Sequence, residues 1–555
     1  MRFRPMSTLF GEKVRLADGI FPFSHGDVTL LPSEDRCFEL HGALAQSLLP
    51  LLNGEYTAAG LVGRLRDRFS PPQVLGMLGM LENEGLLVAG AEPDGLLVPE
   101  SVNERMSVSV HAKGEAAELL NQALADHAIN LLPSDRKAAL RIRLVDDYYG
   151  LDEKGPADAS QCWMPIKMAG PVVWFGPIFR PDQSACPSCL MHRIRLTQEA
   201  YILAKLDALP RIPSSAASAA VQFCALQIAR WLQNPAADDH PLNDGLVRIG
   251  DKGSGFELHR VVRRPQCPEC GSACTMEPSP ILVGDGADHK HDLLGKAPDE
   301  ALLERFGHHV DRITGLVSAL EPVSEHPLNV FRARYVRPIA ASTEKRAVEN
   351  RRLVAAGKGT TSKAAEAGAL AEALERYSST WDGSEALTIA SAKGLGDSCI
   401  LPNDCMLFSD NQLKKGGTGE GLKQLVPRQL DPDAPIGWLK AWSLSRSEWR
   451  FVAAGWALMG YGGHGRDYSV GDSNGNAAGW SINDAIMRGA GELIERDAVA
   501  LWWYNCVGRP GVNLDRIKPN YIAELQQHLF DTGREFWVLD LTSDIGFPTF
   551  AAVSQ

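Results

Sequence analysis

The chain has 555 residues, a formal net charge of −12, 45% hydrophobic and 22% charged residues. This composition excludes a disordered chain, and the acidic balance disfavours a general nucleic-acid or anionic-membrane binder. No run approaches the ~18 apolar residues of a spanning helix, and the start MRFRPMSTLFGEKVRL lacks the apolar stretch of a secretory signal. A cytoplasmic protein of three or four domains is expected, at about one domain per ~150 residues.

The stretch Thr57–Phe69 predicts a helix, with Thr57 as its N-cap. A second helix is expected from Ser70-Pro71, with proline in its first turn and Val74, Leu75, Met77, Leu78 and Leu81 on one face. Gly85 suits its C-terminal cap, and Leu86-Leu87-Val88 a following strand. Helix, turn, helix and wing make a winged helix-turn-helix. Residues 1–100 carry eight Lys/Arg against thirteen Asp/Glu, with no basic stripe for phosphates. Arg64, Arg66 and Arg68 are expected to be a solvated helix face. A winged helix that pairs an extended peptide with a sheet edge therefore suits the charge better than one that binds DNA.

Further on, Met106–Val110 starts as a strand and HAKGEAAELLNQALADHAI continues as a helix, the way a dinucleotide-binding fold begins. Gly114 stands alone where G-x-G-x-x-G is needed for close phosphate approach. The expectation is a degenerate Rossmann-like α/β domain without the usual nucleotide site. Ile142–Val145 is another strand, ending at Asp146-Asp147; those carboxylates are read as solvated in preference to metal-binding. Val172–Phe175 is a further strand that runs into GPIFRP.

Eleven cysteines in such a chain point to metal ligands and core residues more than to disulfides. Cys186 and Cys189 in ACPSCLMHR, and Cys267 and Cys270 in QCPECGSAC, form two CxxC turns. One turn offers two adjacent corners of a tetrahedron, so two turns close a structural zinc site with no open position. A redox dithiol or accidental spacing is the alternative; the shared CPxC pattern favours zinc. Cys274 could replace a ligand, and Cys37, Cys162, Cys224, Cys399, Cys405 and Cys506 are expected in core packing.

The most informative pattern follows residue 330. Glu372, Glu375 and Arg376 in GALAEALERYSSTW repeat as Glu492, Glu495 and Arg496 in RGAGELIERDAVALWW. The repeat suggests two related halves of one fold. Residues three apart share a helix face, and ionised carboxylates among small apolar neighbours need a partner. Four such oxygen ligands suit Mg²⁺ with substrate phosphates; local Glu–Arg pairs on amphipathic helices are the alternative. VAAGKGTTSKAAEAG, with Lys358 between glycines, and GYGGHGRDYSVGDSNGNAAGW are expected as flexible loops that bring backbone N–H groups to phosphates.

The stretches GKGTTSKAAEAGALAEALERYS, SNGNAAGWSINDAIMRGAGELIERDAVALWWYN and FWVLDLTSDIGFPTFAAVS resemble the YcaO superfamily of ATP-dependent peptide-backbone modifying enzymes. ELIERDAVALWWYN resembles the branch that makes azoline rings in thiazole/oxazole-modified peptides, and DDYYG, WFGPIFRP and CPSCLMHR resemble the ubiquitin-activating-enzyme-like domain of fused cyclodehydratases. The resemblance implies an α+β and α/β multidomain chain. A winged-helix leader-peptide recognition domain would span 1–100, a zinc-binding α/β domain 101–295, and an α/β YcaO domain with internal pseudo-symmetry 296–555. It implies cyclodehydration of Cys, Ser or Thr in a ribosomal precursor peptide, with ATP phosphorylating the backbone amide oxygen. By the same resemblance Glu372, Glu375, Glu492 and Glu495 hold Mg²⁺ around ATP, Glu495 and Arg496 are catalytic, and Lys358, Asn474 and Asp484 line the nucleotide pocket. Homodimerisation and a separate flavin-dependent azoline dehydrogenase belong to the same picture.

The chain departs from the family pattern at Gly368, where a small hydroxyl residue is usual, and at Trp480 and Asp484, where Gln and Glu are usual. Asp484 can still reach a magnesium ion; Trp480 cannot supply glutamine's hydrogen bonds. PTFAAVSQ reads as mid-strand where family members run on to a proline-rich end, so a fragment is expected. A leader-binding delivery protein with an idle third domain, and a YcaO enzyme forming thioamides or amidines, are the alternatives; a winged-helix transcription factor is disfavoured by charge.

Overall fold

The computed structural model describes residues 13–16, 23–25, 28–32, 37–83, 86–89, 106–112, 114–134, 136–148, 151, 160–168, 172–181, 183–197, 215–235, 240–250, 256–271, 280–281, 297–337, 353–414, 426–517 and 520–555. The chain packs as two compact units, Met1–Pro187 with Asp207–Val262 and Ser188–Leu206 with Arg263–Gln555. Among the described residues no helix is long and apolar enough to cross a membrane.

The first unit begins with β1 (Lys13–Leu16), β2 (Phe23–His25), β3 (Val28–Pro32), β4 (Cys37–His41), α1 (Ala43–Leu48), β5 (Asn53–Thr57), α2 (Ala58–Leu65), α3 (Pro71–Asn83) and β6 (Leu87–Ala89). An antiparallel sheet in the order β5-β1-β6 backs onto these helices. Val14, Leu48, Leu61, Val74, Leu78 and Leu81 are fully buried between them, which accounts for the apolar spacing of α3. Thr57 caps α2 as expected, its Oγ1 accepting from Gly60 N at 3.1 Å. The helix stops at Leu65 instead of Phe69: the amides of Arg68 and Phe69 both fold back onto the Leu65 carbonyl. Arg64 lies over the Tyr56 ring and Arg68 over Phe69, while Arg66 is exposed beside Asp67. Gly85 lies outside the described residues.

Next come β7 (Ser107–His111), α4 (Glu115–Asp126), β8 (Asn130–Leu132), β9 (Leu140–Val145), β10 (Trp163–Lys167), β11 (Val172–Phe175), α5 (Pro187–Thr197, which belongs to the second unit from Ser188 on), α6 (Ser215–Gln233), β12 (Gly245–Gly250) and β13 (Phe256–Arg260). The sheet order is β13-β12-β11-β10-β9-β7-β8; the four strands from β10 to β8 are parallel and the others antiparallel. Val108, Leu140, Ile142, Met164 and Ile166 form one core with Leu120 and Leu124 of α4 and Val221, Cys224 and Ile228 of α6. Tyr148, of the DDYYG stretch, is fully buried, with its hydroxyl 2.8 Å from the carbonyls of both Pro165 and Gly176. Asp146 is exposed and Asp147 half-buried, and neither joins a metal-ligand cluster among the described residues.

In the second unit α7 (Pro298–Phe306), β14 (Val317–Ser324), β15 (Val330–Tyr335), β16 (Val354–Lys358) and α8 (Ser362–Ser378) form an antiparallel sheet with a helix packed on it. The glycine-bearing stretch before α8 was expected as a loop, yet residues 354–358 are a strand paired along its length with β15. Gly357 is needed there because a Cβ would collide with Ala365 O and Ala369 N, so strand and helix backbones touch. A four-stranded sheet orders β17 (Thr388–Ser391), β19 (Pro435–Ser443), β20 (Glu448–Ala453) and β18 (Cys399–Ile400). Helices α9 (Ile482–Tyr504) and α10 (Asn520–Asp531) then precede the hairpin of β21 (Phe536–Asp540) and β22 (Phe550–Ser554).

The scattered cysteines divide. Cys224 and Cys399 are buried and Cys162 and Cys405 half-buried. Cys506, expected in a core, is exposed: it stands just past α9 with φ +49°. The side chain of Cys37, and Cys274, lie outside the described residues.

Candidate functional site

The two CxxC turns meet. The Sγ atoms of Cys186, Cys189, Cys267 and Cys270 all lie within 4.8 Å of one another, with Cys189 Sγ 3.5 Å from Cys270 Sγ. That separation approaches the edge of about 3.8 Å that ~2.3 Å zinc–sulfur bonds would give a tetrahedron. Four soft sulfur donors, Cys189 and Cys267 buried and Cys186 and Cys270 half-buried, form a set that could hold a structural metal ion. The surroundings carry positive charge, as a tetrathiolate requires. Arg264 N donates to Cys189 Sγ at 3.4 Å, and the Arg263 guanidinium donates to the Cys270 carbonyl. Arg193, one turn after Cys189 on α5, is 5% exposed and sits 5.8 Å from the centre of the Tyr377 ring on α8. Burial lowers its pKa, while the charges of Tyr377 and Cys189 oppose that shift.

Both acidic helices are capped by a hydroxyl. Thr361 Oγ1 accepts from Ala364 N, and Ser481 Oγ from Asp484 N. The same offset of 120 residues separates Thr361 from Ser481, Glu372 from Glu492 and Arg376 from Arg496. The first glutamates are held alike: Glu372 takes Arg376 at 3.0 Å and Ala356 N at 3.1 Å, and Glu492 takes Arg496 at 3.0 Å and Gly475 N at 3.2 Å. The local Glu–Arg pairs weighed from the sequence therefore exist at both first positions.

The second glutamates differ. Glu375 is half-buried and accepts from Ala478 N at 3.1 Å. Burial raises its pKa; the Ala478 amide and Arg376 oppose this, and the charges of Glu492 and Glu372 add to it. Glu495 is exposed. Arg376 also donates to Ser473 Oγ, tying α8 to the loop that enters α9. Residues 473–480 of that loop are thus gripped from both helices, by Glu375 and Arg376 on one side and Glu492 and Asp484 on the other.

Asp484 has little left for a metal: its carboxylate accepts from Trp480 N at 3.0 Å and Arg488 Nε at 2.8 Å. Burial acts to raise its pKa, but those hydrogen bonds outweigh it and lower it. Asn474 is exposed and bonds Asp472 through backbone and side chain, at 2.8 and 2.9 Å. Lys358 is exposed at the last position of β16, opposite Val330. Arg496 is more open than Arg376, with side-chain exposures of 57% and 28%. Among the described residues only the cysteines bring three or more ligand atoms within 4.8 Å of one another; the glutamates line a common loop without that convergence. Arg376 and Ser473 were not singled out from the sequence as site residues, although the repeat spacing makes Arg376 the counterpart of Arg496.

The family described as YcaO cyclodehydratase, ATP-ad Mg2+-binding, matches residues 356–555. The solved "Heterocyclase in complex with substrate and Cofactor" is 28% identical with a TM-score of 0.73, over 98% of this chain and 78% of that one. The "Structure of the heterocyclase TruD" is 26% identical with a TM-score of 0.62 over the same shares. A protein of Methanothermobacter thermautotrophicus (strain ATCC 29096 / DSM 1053 / JCM 10044 / NBRC 100330 / Delta H), described as uncharacterized, is 28% identical over 220 residues, 39% of this chain and 52% of its own. The match thus spans about half the length of that curated relative. Residues 356–555 thus match the YcaO cyclodehydratase family model, and the chain is similar along nearly its whole length to the two heterocyclases.

Proposed function

We propose that this chain catalyses ATP-dependent cyclodehydration of Cys, Ser or Thr residues in a ribosomally synthesised precursor peptide. The observation that carries the reading is the loop 473–480, gripped by Glu375 and Glu492 from two helices within the family-matched stretch. In the reaction, the side-chain sulfur or oxygen gives up its proton and bonds to the preceding carbonyl carbon. The carbonyl oxygen takes the γ-phosphoryl group of ATP, leaving ADP. Loss of the amide proton and departure of that oxygen as phosphate close the C=N bond of an azoline. The chemistry asks chiefly for positioning and charge neutralisation around phosphates.

Glu372, Glu375, Glu492 and Glu495 are assigned to magnesium, whose fit is supported by hard oxygen donors and by the like-charge crowding on Glu375. Bound Mg²⁺ would offset the negative charge of the phosphates and the glutamates together. Arg496, open to solvent, is assigned to phosphate contact, with Glu495 beside it as the other catalytic group. Arg376 holds Glu372 and Ser473 in place. Lys358 and Asn474, both exposed, are assigned to the rim of the nucleotide pocket, and Asp484 to fixing the start of α9. The matched capping and carboxylate contacts support two pseudo-symmetric halves for the YcaO domain.

The other assignments complete the picture. Residues 1–100 serve as a winged-helix domain that adds the leader peptide as a strand to the β5-β1-β6 sheet, residues 101–295 as an α/β domain stapled by structural Zn²⁺, and residues 296–555 as the YcaO domain. A homodimer, and a separate flavin-dependent dehydrogenase that oxidises the ring, fit the same scheme.

Intact-mass spectrometry of a co-encoded peptide with the protein, Mg²⁺ and ATP tests this reading. ATP-dependent loss of one water mass per ring is expected, and should disappear in Glu492→Gln. A peptide that binds but keeps its mass would identify a delivery protein instead.

A further inference from the structure

The seven-stranded sheet changes its direction of winding at β7. The chain passes from β7 to β8 on one side, then to β9 on the other, all three parallel. In open parallel sheets, ligand crevices lie beyond the carboxyl ends of the strands at such a switch point. Side chains alternate along a strand, so the residues between those facing α4 and α6 fall on the opposite face. Among these are Ser109, His111, Arg141, Arg143 and Trp163, and the register sets them side by side: Ser109 with Arg141, His111 with Arg143, Trp163 with Arg141.

Four of the five line a cavity of about 250 Å³ together with Leu144. Two of them are arginines, and among the described residues no carboxylate lines it. Arg141 Nε is buried without a hydrogen-bond partner among the described residues. Burial first, and then the charge of Arg141, hold the His111 imidazole below its usual pKa; the backbone of Ser134 opposes this and Arg143 adds to it. Like charges gathered on one face repel unless an anion joins them. The volume falls below the ~300 Å³ at which drug-sized ligand pockets begin. A backbone cradle for pyrophosphate is missing as well, since Gly114 is the lone glycine of the turn after β7.

We infer that this cavity at the β7/β9 switch point binds the oxyanion of a small molecule, a phosphate or carboxylate group held by Arg141 and Arg143 with His111 as a further hydrogen-bond partner. The planar guanidinium fork matches both groups in bidentate geometry. The site is built wholly from strands of the first unit, and the inference does not depend on the reading of the acidic helices' chemistry.

The test titrates the full chain at low ionic strength with inorganic phosphate and, separately, with succinate, by calorimetry. ¹³C-histidine NMR follows His111, assigned through His111→Asn. Saturable binding is expected, weakened about tenfold or more in the double variant Arg141→Gln/Arg143→Gln, as loss of charge-assisted hydrogen bonds predicts. The His111 signal should move on saturation and titrate at higher pH. Binding of phosphate alone identifies a phosphoryl ligand, and of succinate alone a carboxylate. Circular dichroism checks the double variant; should it unfold, Arg143→Gln alone, at an exposed position, decides. Failure of both anions to bind, affinity unchanged by the substitutions, or a stationary His111 signal overturns the inference.

Discussion

Glu375 on α8 and Glu492 on α9 hold the same loop three residues apart: Glu375 Oε2 accepts from Ala478 N at 3.1 Å and Glu492 Oε2 from Gly475 N at 3.2 Å. Two carboxylates from helices far apart in sequence thereby converge, and each acts on the other's charge. A group so placed prefers either a proton or a cation nearby.

That preference has a sign. The folded-state pKa of Glu375 is raised above the ordinary 4.5 by burial, with Glu492 and Glu372 adding to it against Ala478 N and Arg376. Its contribution to stability is therefore full below 4.5 and is lost as pH climbs through the raised value. Melting curves without metal should show wild type losing stability relative to Glu375→Gln over that climb. Added Mg²⁺ and ATP at neutral pH should favour wild type. A difference between the two proteins that ignores pH would refute this account.

Arg376→Lys should lower cyclodehydration about tenfold or more, because one ammonium cannot reproduce two directed guanidinium bonds to Glu372 and Ser473. Ser473→Ala should cost less, since it leaves the Glu372 bond intact. Steady-state rates of peptide conversion order the two, and the reverse order counts against a positioning role for Arg376.

Purified protein should carry about one zinc per chain, as four cysteine sulfurs within 4.8 Å of one another imply. Cys189→Ser should abolish that stoichiometry in elemental analysis and lower the melting temperature. Retained zinc would mean that the cluster is not the metal site.

Two neighbouring glycines should respond oppositely to alanine. At Gly357 a Cβ meets the α8 backbone, so Gly357→Ala should cost about 1–3 kcal/mol or more. At Gly368 the Cβ would lie 3.5 Å from Gly357 Cα, an ordinary contact, so helix propensity should stabilise the variant by about 0.5–1 kcal/mol. Denaturant midpoints measure both; equal effects would contradict the close strand–helix packing.

Tyr148→Phe removes the hydroxyl that serves two buried carbonyls and should cost about 1–3 kcal/mol by denaturant unfolding. A neutral outcome would mean that Pro165 and Gly176 find other partners.

The sequence by itself determined what depends on local spacing. The Thr57 cap, the apolar face of α3, the CxxC pairs and the doubled E-x-x-E-R all sit in short windows where a turn or one helix sets the geometry. The acidic helices, and the family model that residues 356–555 match, could be recognised from those windows. Tertiary structure decided what depends on partners distant in the chain. Residues 354–358 are a strand because β15 pairs with them, although their glycines suggest a loop. Cys506 is exposed just past α9, because residue type alone does not set which cysteines a core encloses. The basic cavity exists only because strand register sets Arg141 and Arg143 of β9 beside His111 of β7, a relation among side chains that no linear pattern encodes.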